Sequence, residues 1–175
     1  MRTNINRRTF ILPLILAGFA RFGVPLVSAA SAPQAASASV RDFSTVADQA
    51  LLAMNKRAEE LHIKGAAVVA CFEGESITAW SSKMKVVGSM KNAPSGNDHG
   101  SNLLAIAYAK ATEMAETLKD SGHAGRPPMT GELGWEGGLI AKGKTGYLIA
   151  AFSGGPSADD LRVSRAGLEM MIDKL

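Results

Sequence analysis

Apolar residues recur at Phe43, Val46, Ala47, Ala50, Leu51, Met54, Ala58 and Leu61, the three-and-four spacing of one helical face. The spacing predicts a first helix from near Ser44, with Lys56, Arg57, Glu59 and Glu60 on its wet flank and Gly65 at its close. Ala66 to Glu73 is an apolar run between glycines, which predicts a buried strand. A tight turn at Glu73-Gly74-Glu75 then returns the chain as a second strand over Ser76 to Ser81, where Ile77, Ala79 and Trp80 offer packing surface. From Lys83 to Gly100 the punctuation of Gly88, Asn92, Pro94, Gly96 and Asn97 predicts irregular chain. A second helix is expected from about Ser101 to Ser121, on Leu103, Leu104, Ala107, Tyr108, Ala111, Met114, Ala115 and Leu118, with Gly122 as its stop. A second irregular loop follows over Gly122 to Glu136. Strands at Gly138 to Lys142 and Tyr147 to Phe152 are joined through Gly143-Lys144-Thr145-Gly146. Pro156 opens the last helix, with Leu161, Leu168, Met171, Ile172 and Leu175 inward.

The order is helix, strand pair, helix, strand pair, helix. Hairpin connections make each pair antiparallel, so the expected class is α+β, with helices covering an antiparallel sheet. The corner Ser153-Gly154-Gly155-Pro156 has two candidate uses. Its glycines can take positive φ, and the helix behind it offers free N–H groups to an anion. No Gly-Lys-Ser/Thr follows, so it is not a Walker loop. Ser157 with Asp160 three residues on can instead cap the helix internally.

Charge changes the picture at the front of the chain. The formal net charge of +3 arises there: residues 1–29 hold Arg2, Arg7, Arg8 and Arg21 and no acid, and the remainder stands at −1. A mature domain without a basic footprint argues against nucleic-acid binding. Paired arginines before the apolar run Phe10 to Ala20, then Val27-Ser28-Ala29-Ala30, read as an export signal over residues 1–29, with cleavage after Ala29. Arg7-Arg8 points to twin-arginine export, although Asn6 precedes the pair; an ordinary secretory signal is the alternative. The apolar run is short of the ~20 residues that span a bilayer. Residues 30–40, rich in Ala and Ser, read as a flexible leader, which leaves 41–175 as one domain. The expected location is periplasmic or secreted. Cys71 has no partner for an internal disulfide and lies in an apolar run, as an inert thiol would.

The stretch "GGLIAKGKTGYLIAAFSGGPSADDLRVSRAGL", Gly137 to Leu168, resembles the C-terminal signature of the GlcG/HbpS family of haem-binding proteins. The matching features are Gly137-Gly138 before an apolar hairpin, Ser153-Gly154-Gly155, Asp159 or Asp160 in the next helix, and Ala166-Gly167. "AIAYAKATEMAETL" is similar to the family's central helix, and "ALLAMNKRAEELHIKGAAVVA" to its first helix and Val-rich strand. The resemblance covers residues 43–175. Two features depart from it: Cys71-Phe72-Glu73-Gly74-Glu75 stands where an Asp-x-x-Gly turn is usual, and "SSKMKVVGSM" replaces an Arg-Met/Asp-Gly-Ala stretch. The resemblance implies a profilin-like sheet between helices, in α-β-β-α-β-β-α order, with homo-oligomers and haem as cofactor. It also implies a role in haem or iron sensing, storage or degradation, with a membrane sensor or periplasmic enzyme as a further partner. Corrinoid adenosyltransferases of the PduO type end in a related domain.

Haem needs an apolar slot, an axial ligand and a cation near its propionates. His62, His99 and His123 are the candidate histidines. His123 ranks first because Arg126, Met129, Thr130 and Trp135 share its loop: Met can ligate, Trp can stack and Arg can pair with a propionate. The resemblance keeps Thr130 as an alternative axial residue. Glu113 and Glu116 share a helix face that the spacing sets opposite the apolar stripe, with Lys110 and Lys119 at hand. The resemblance implies an iron site there; a solvated face is the plainer reading. No nucleophile elbow or His-x-x-x-His occurs, and Glu132 with Glu136 is the one acid–base pairing on offer, so catalysis is not the expected role. The alternative to haem is a profilin-like interaction module serving a periplasmic sensor or redox enzyme.

Overall fold

The structure, a computed structural model, describes residues 38–175, with side chains from residue 42 onward. The export signal read over residues 1–29 lies outside the described residues, as does most of the leader. The elements in chain order are α1 (Ala38–Glu60), β1 (Gly65–Glu73), β2 (Ser81–Val87), β3 (Lys91–Asn92), β4 (Ser101–Asn102), α2 (Leu103–Thr117), β5 (Gly138–Lys142), β6 (Gly146–Ser153) and α3 (Ser157–Ile172). The class is α+β, as expected. Four antiparallel strands form one sheet in the order β2-β1-β6-β5, and β3 and β4 form a two-stranded ladder of their own.

The sheet separates two cores because strand side chains alternate between faces. Ala67, Val69, Leu148, Ala150 and Phe152 pack with Phe43, Ala47, Ala50, Met54, Val163 and Met171, from α1 and α3. Ala66, Val68, Ala70, Phe72, Ile149 and Ala151 face Leu103, Ala107, Ala111 and Met114 of α2. The central strands β1 and β6 are therefore covered on both faces, which is why they read as near-continuous apolar runs.

Several expectations need correction. The return strand is Ser81–Val87, not Ser76 to Ser81, and residues 74–80 are loop. A tight turn at Glu73-Gly74-Glu75 would have set Ser76–Ser81 against β1; residues 74–80 instead loop out before the ladder begins. The longer loop lets β2 pair along β1 from Cys71↔Ser81 to Gly65↔Val87. Its lysines are compatible with a strand because β2 is an edge: Lys83 leans over α1, donating to Ser44 O at 3.0 Å and to both Asp48 oxygens at 2.8 Å. The helix α1 starts at Ala38, in the stretch read as leader. It ends before Gly65 in a Schellman turn: Ile63 N–H donates to Ala58 O and His62 N–H to Glu59 O, with His62 left-handed at φ 56°. Leu118, at φ 54°, closes α2 in the same conformation, ahead of the expected stop at Gly122. Ile172, expected inward, is 41% exposed.

The ladders define two ends of the sheet. At one end lie Gly65, Val87, Gly138 and Ser153; at the other lie Glu73, Ser81, Lys142 and Gly146. Both outer strands are guarded. The free edge of β5 is taken up by Ser121, whose Oγ accepts from Gly138 N at 2.8 Å, and by Asp120, which accepts from Ile140 N at 3.0 Å.

Candidate functional site

The Ser-Gly-Gly corner, the Gly-Gly motif and the acidic residue of α3 meet at the first end of the sheet, around a buried ion pair. Lys110 Nζ of α2 donates to Asp160 Oδ2 at 2.8 Å and to the Phe152 carbonyl at 2.9 Å. The two side chains are 3% and 4% exposed. Gly137 passes beside the pair at φ 127°, and a Cβ there would run into Lys110 Nζ and Asp160. Ser164 Oγ donates to Gly137 O at 2.7 Å, which ties the same point to α3. Burial raises the Asp160 carboxyl, and the Lys110 charge beside it acts in the opposite direction.

This arrangement settles how the corner is used. Asp160 Oδ1 accepts from Gly155 N at 2.9 Å, so the chain's own carboxylate occupies the place where an external anion would sit. The expected Ser157 cap does not form: Pro156 is the N-cap residue and makes no side-chain capping bond. Nor do the corner glycines use positive φ. Gly154 is required because a Cβ there would strike the Lys64 carbonyl and Gly65 Cα, both backbone. Gly167, of the Ala-Gly motif, lies against α1, where a Cβ would meet the Met54 side chain and not backbone.

The loop over residues 122–136 is pinned at both ends by Glu113. That side chain is buried, and its two oxygens accept from Gly122 N at 2.8 Å and Gly134 N at 3.2 Å. Glu113 is therefore not on a solvated face, and it does not pair with Glu116. Glu116 is exposed and takes Arg126 at 2.5 Å. Neither Lys110 nor Lys119 serves the two glutamates: Lys110 belongs to Asp160, and Lys119 donates to Ala124 O. Among the described residues no group of three or more His, Cys, Asp or Glu is arranged to hold a metal ion.

Arg126 is committed to Glu132 of its own loop as well as to Glu116 of α2. It donates to Glu132 through NH1 at 2.7 Å and NH2 at 2.9 Å, and Glu132 also accepts from Met129 N at 2.8 Å. Hydrogen bonds from Arg126, then from Met129 N–H, hold the Glu132 carboxyl at about 2, and the same pairing raises the Arg126 guanidinium above its usual value. Glu132 is thus an ionised structural anchor and a poor partner for Glu136 in acid–base work. Its folded pKa lies below the ordinary 4.5, so its contribution is complete above 4.5 and is lost as pH falls towards 2. In a Trp80→Phe background, Trp135 emission should report loosening of the loop across that window. A Glu132→Gln variant should already show the loosened emission at neutral pH, with no acid transition left.

Of the haem candidates, the loop gathers His123, Arg126, Met129, Thr130 and Trp135. His123 is exposed; its Nδ1 lies 3.3 Å from Ser121 O and its Nε2 lies 3.8 Å from Glu136. It borders an open groove of about 450 Å³ with Leu118, Lys119, Asp120 and Ile140. Met129 and Trp135 stand out at 49% and 52% exposure, and Thr130 is exposed beside them. His99 lies on the exposed chain between β3 and β4, and His62 closes α1. The structure does not bring those two into the loop.

A second cavity, of about 540 Å³, opens at the far end of the sheet, between the start of α1, the 74–80 loop and the β5–β6 turn. Cys71 borders it and is half-buried, not fully enclosed as the sequence implies. Burial, then the Glu73 charge, pushes its thiol up to about 11, which keeps it largely in the thiol form and slows its alkylation without preventing it.

The buried roles of Lys110 and Glu113 are absent from the sequence reading, yet Lys110 falls three residues after Ala107 and four before Met114, on the apolar stripe itself. The second cavity has no comparable signal, because its walls come from five separate stretches of chain. Fold and site together define an α+β domain with a four-stranded antiparallel sheet between helix layers and an ion pair locking one end of that sheet. No protein family, curated protein or solved structure matches the chain.

Proposed function

We propose that the chain is an exported haem- or tetrapyrrole-binding protein of the GlcG/HbpS kind, with a profilin-like domain that assembles as a homo-oligomer. The supporting observation is the convergence of the signature. Gly137, Asp160 and the Ser-Gly-Gly corner, spread over the last third of the sequence, meet Lys110 of the central helix in one buried cluster. A chance likeness of composition has no reason to collect these positions at one point. The tetrapyrrole would sit against the 122–136 loop, with His123 or Thr130 as axial residue and Trp135 and Met129 supplying apolar contact. Arg126 would serve by holding the loop through Glu132, not by pairing with a propionate. Haem or iron sensing, storage or degradation outside the cytoplasm is the corresponding role, and a membrane sensor is the corresponding partner.

Hemin added to the purified protein should give a shifted Soret band that weakens in His123→Ala or Thr130→Ala. A flat titration at micromolar hemin removes the reading. The same loop favours a second reading, an interaction module that binds no haem. Met129, Leu133 and Trp135 are exposed on a loop already fixed by Glu113 and Arg126, so a protein partner would bind at little ordering cost. Under this reading a stoichiometric periplasmic sensor or redox enzyme co-purifies without pigment, and Trp135→Ala releases it.

A further inference from the structure

The cavity at the far end of the sheet is distinct from the signature cluster and from the 122–136 loop. Its volume of about 540 Å³ is that of a small-molecule site. Phe43, Phe72, Trp80 and Leu148 provide apolar wall from both faces of the sheet. The aromatic side is braced: Phe72 and Tyr147 stack with ring centroids 5.4 Å apart, and Trp80 leans on Tyr108 at 6.3 Å. The loop that carries Trp80 is tied back to the β5–β6 hairpin through Glu75, which accepts from Lys142 Nζ at 2.7 Å and from Tyr147 Oη at 2.9 Å. The cavity therefore has preformed walls.

Its charges narrow the ligand. Lys144 and Lys174 border the opening. Lys144 Nζ donates to the Lys174 carbonyl and Lys174 Nζ to Gln49 Oε1, both neutral acceptors. Among the described residues neither ammonium forms an ion pair with a side-chain carboxylate. Asp42 borders the same opening, and its like charge disfavours a polyanion such as a nucleotide triphosphate.

We propose that this cavity binds an apolar, ring-bearing molecule with one anionic end, the rings between Phe72, Trp80 and Phe43 and the anion at Lys144 and Lys174. The proposal is independent of haem binding and is tested without haem. The probe is 1-anilinonaphthalene-8-sulfonate, a ring-bearing monoanion, with neutral N-phenyl-1-naphthylamine as its uncharged counterpart. Cys71 is the only cysteine of the chain and borders this cavity, so its alkylation by N-ethylmaleimide reports occupancy at this place and not at the exposed 122–136 loop.

Saturating anionic probe should slow Cys71 alkylation about tenfold, as expected if only the empty fraction reacts at a probe concentration near ten times Kd. The double variant Lys144→Met, Lys174→Met should weaken the anionic probe about tenfold and leave the neutral one unchanged, in keeping with loss of one charge contact. Both lysines are exposed, so the variant should keep the wild-type circular dichroism. Alkylation that proceeds at the same rate with and without bound probe overturns the site. Equal affinity of wild type and double variant for the anionic probe overturns the assigned ligand class.

Discussion

Lys110→Ala is expected to lower the unfolding free energy by about 3–5 kcal/mol, the cost of leaving one member of a buried ion pair without its partner. The magnitude follows from position. Lys110 and Asp160 are both nearly sealed from solvent, and Lys110 also satisfies the Phe152 carbonyl at the end of β6. Removing the ammonium strands a carboxylate and a carbonyl together. Urea unfolding should show a lower midpoint at an unchanged slope. The double variant Lys110→Met, Asp160→Leu should lose much less, because apolar groups of similar volume commonly replace a buried pair at little cost. Acid should shrink the single variant's deficit. Burial already raises the Asp160 carboxyl, and removing Lys110 takes away the charge that opposes the rise. A carboxyl raised in the folded state favours folding while protonated, and that advantage is lost as pH climbs through its folded pKa. The gap between variant and wild type should therefore narrow towards pH 4. A gap that widens on acidification would mean that Asp160 is not the stranded group.

Gly154→Ala and Gly155→Ala, neighbours in the Ser-Gly-Gly corner, are expected to differ sharply. At Gly154 the new methyl meets the Lys64 carbonyl and Gly65 Cα, which are backbone atoms of the chain entering β1. Relief would require β1 to move from β6, so the loss should reach the upper end of the range for overpacking, about 3 kcal/mol. At Gly155 the nearest atoms are Ile63 side-chain carbons at 3.1 Å and 3.3 Å, which can yield, and the loss should stay below about 1 kcal/mol. Thermal unfolding of the two variants side by side measures the difference. If both are tolerated alike, the corner is not held by close approach of the backbones.

Much of the layering is legible in the chain because it rests on local periodicity. The stripe Phe43 to Ala58 is buried as its spacing implies, and the runs at Ala66–Glu73 and Tyr147–Phe152 are strands of one sheet. The misplaced second strand shows where this fails. Ser81–Val87 carries two lysines and no continuous apolar run, and it becomes a strand because β1 offers an unpaired edge, a property of β1 and not of its own residues. His62 closing α1 where a glycine is expected is a similar case: packing of Ile63 into the core fixes the turn and imposes the left-handed residue.

Candidate chemistry is less legible still. Glu113 and Glu116 look equivalent on paper, one helical turn apart. The return of the 122–136 loop buries one against two backbone N–H groups and leaves the other outside with Arg126. Arg126, free in the sequence, is claimed by Glu132 six residues on.

The sequence by itself determined the three helices, the strands β1, β5 and β6 and the α+β class, because side-chain spacing acts locally. Tertiary structure alone decided which charges are buried and paired, that Asp160 fills the corner an external anion could have taken, and that five separate stretches line the cavity beside Cys71. Those outcomes depend on desolvation and on partners brought together across the fold, and no window of neighbouring residues contains them.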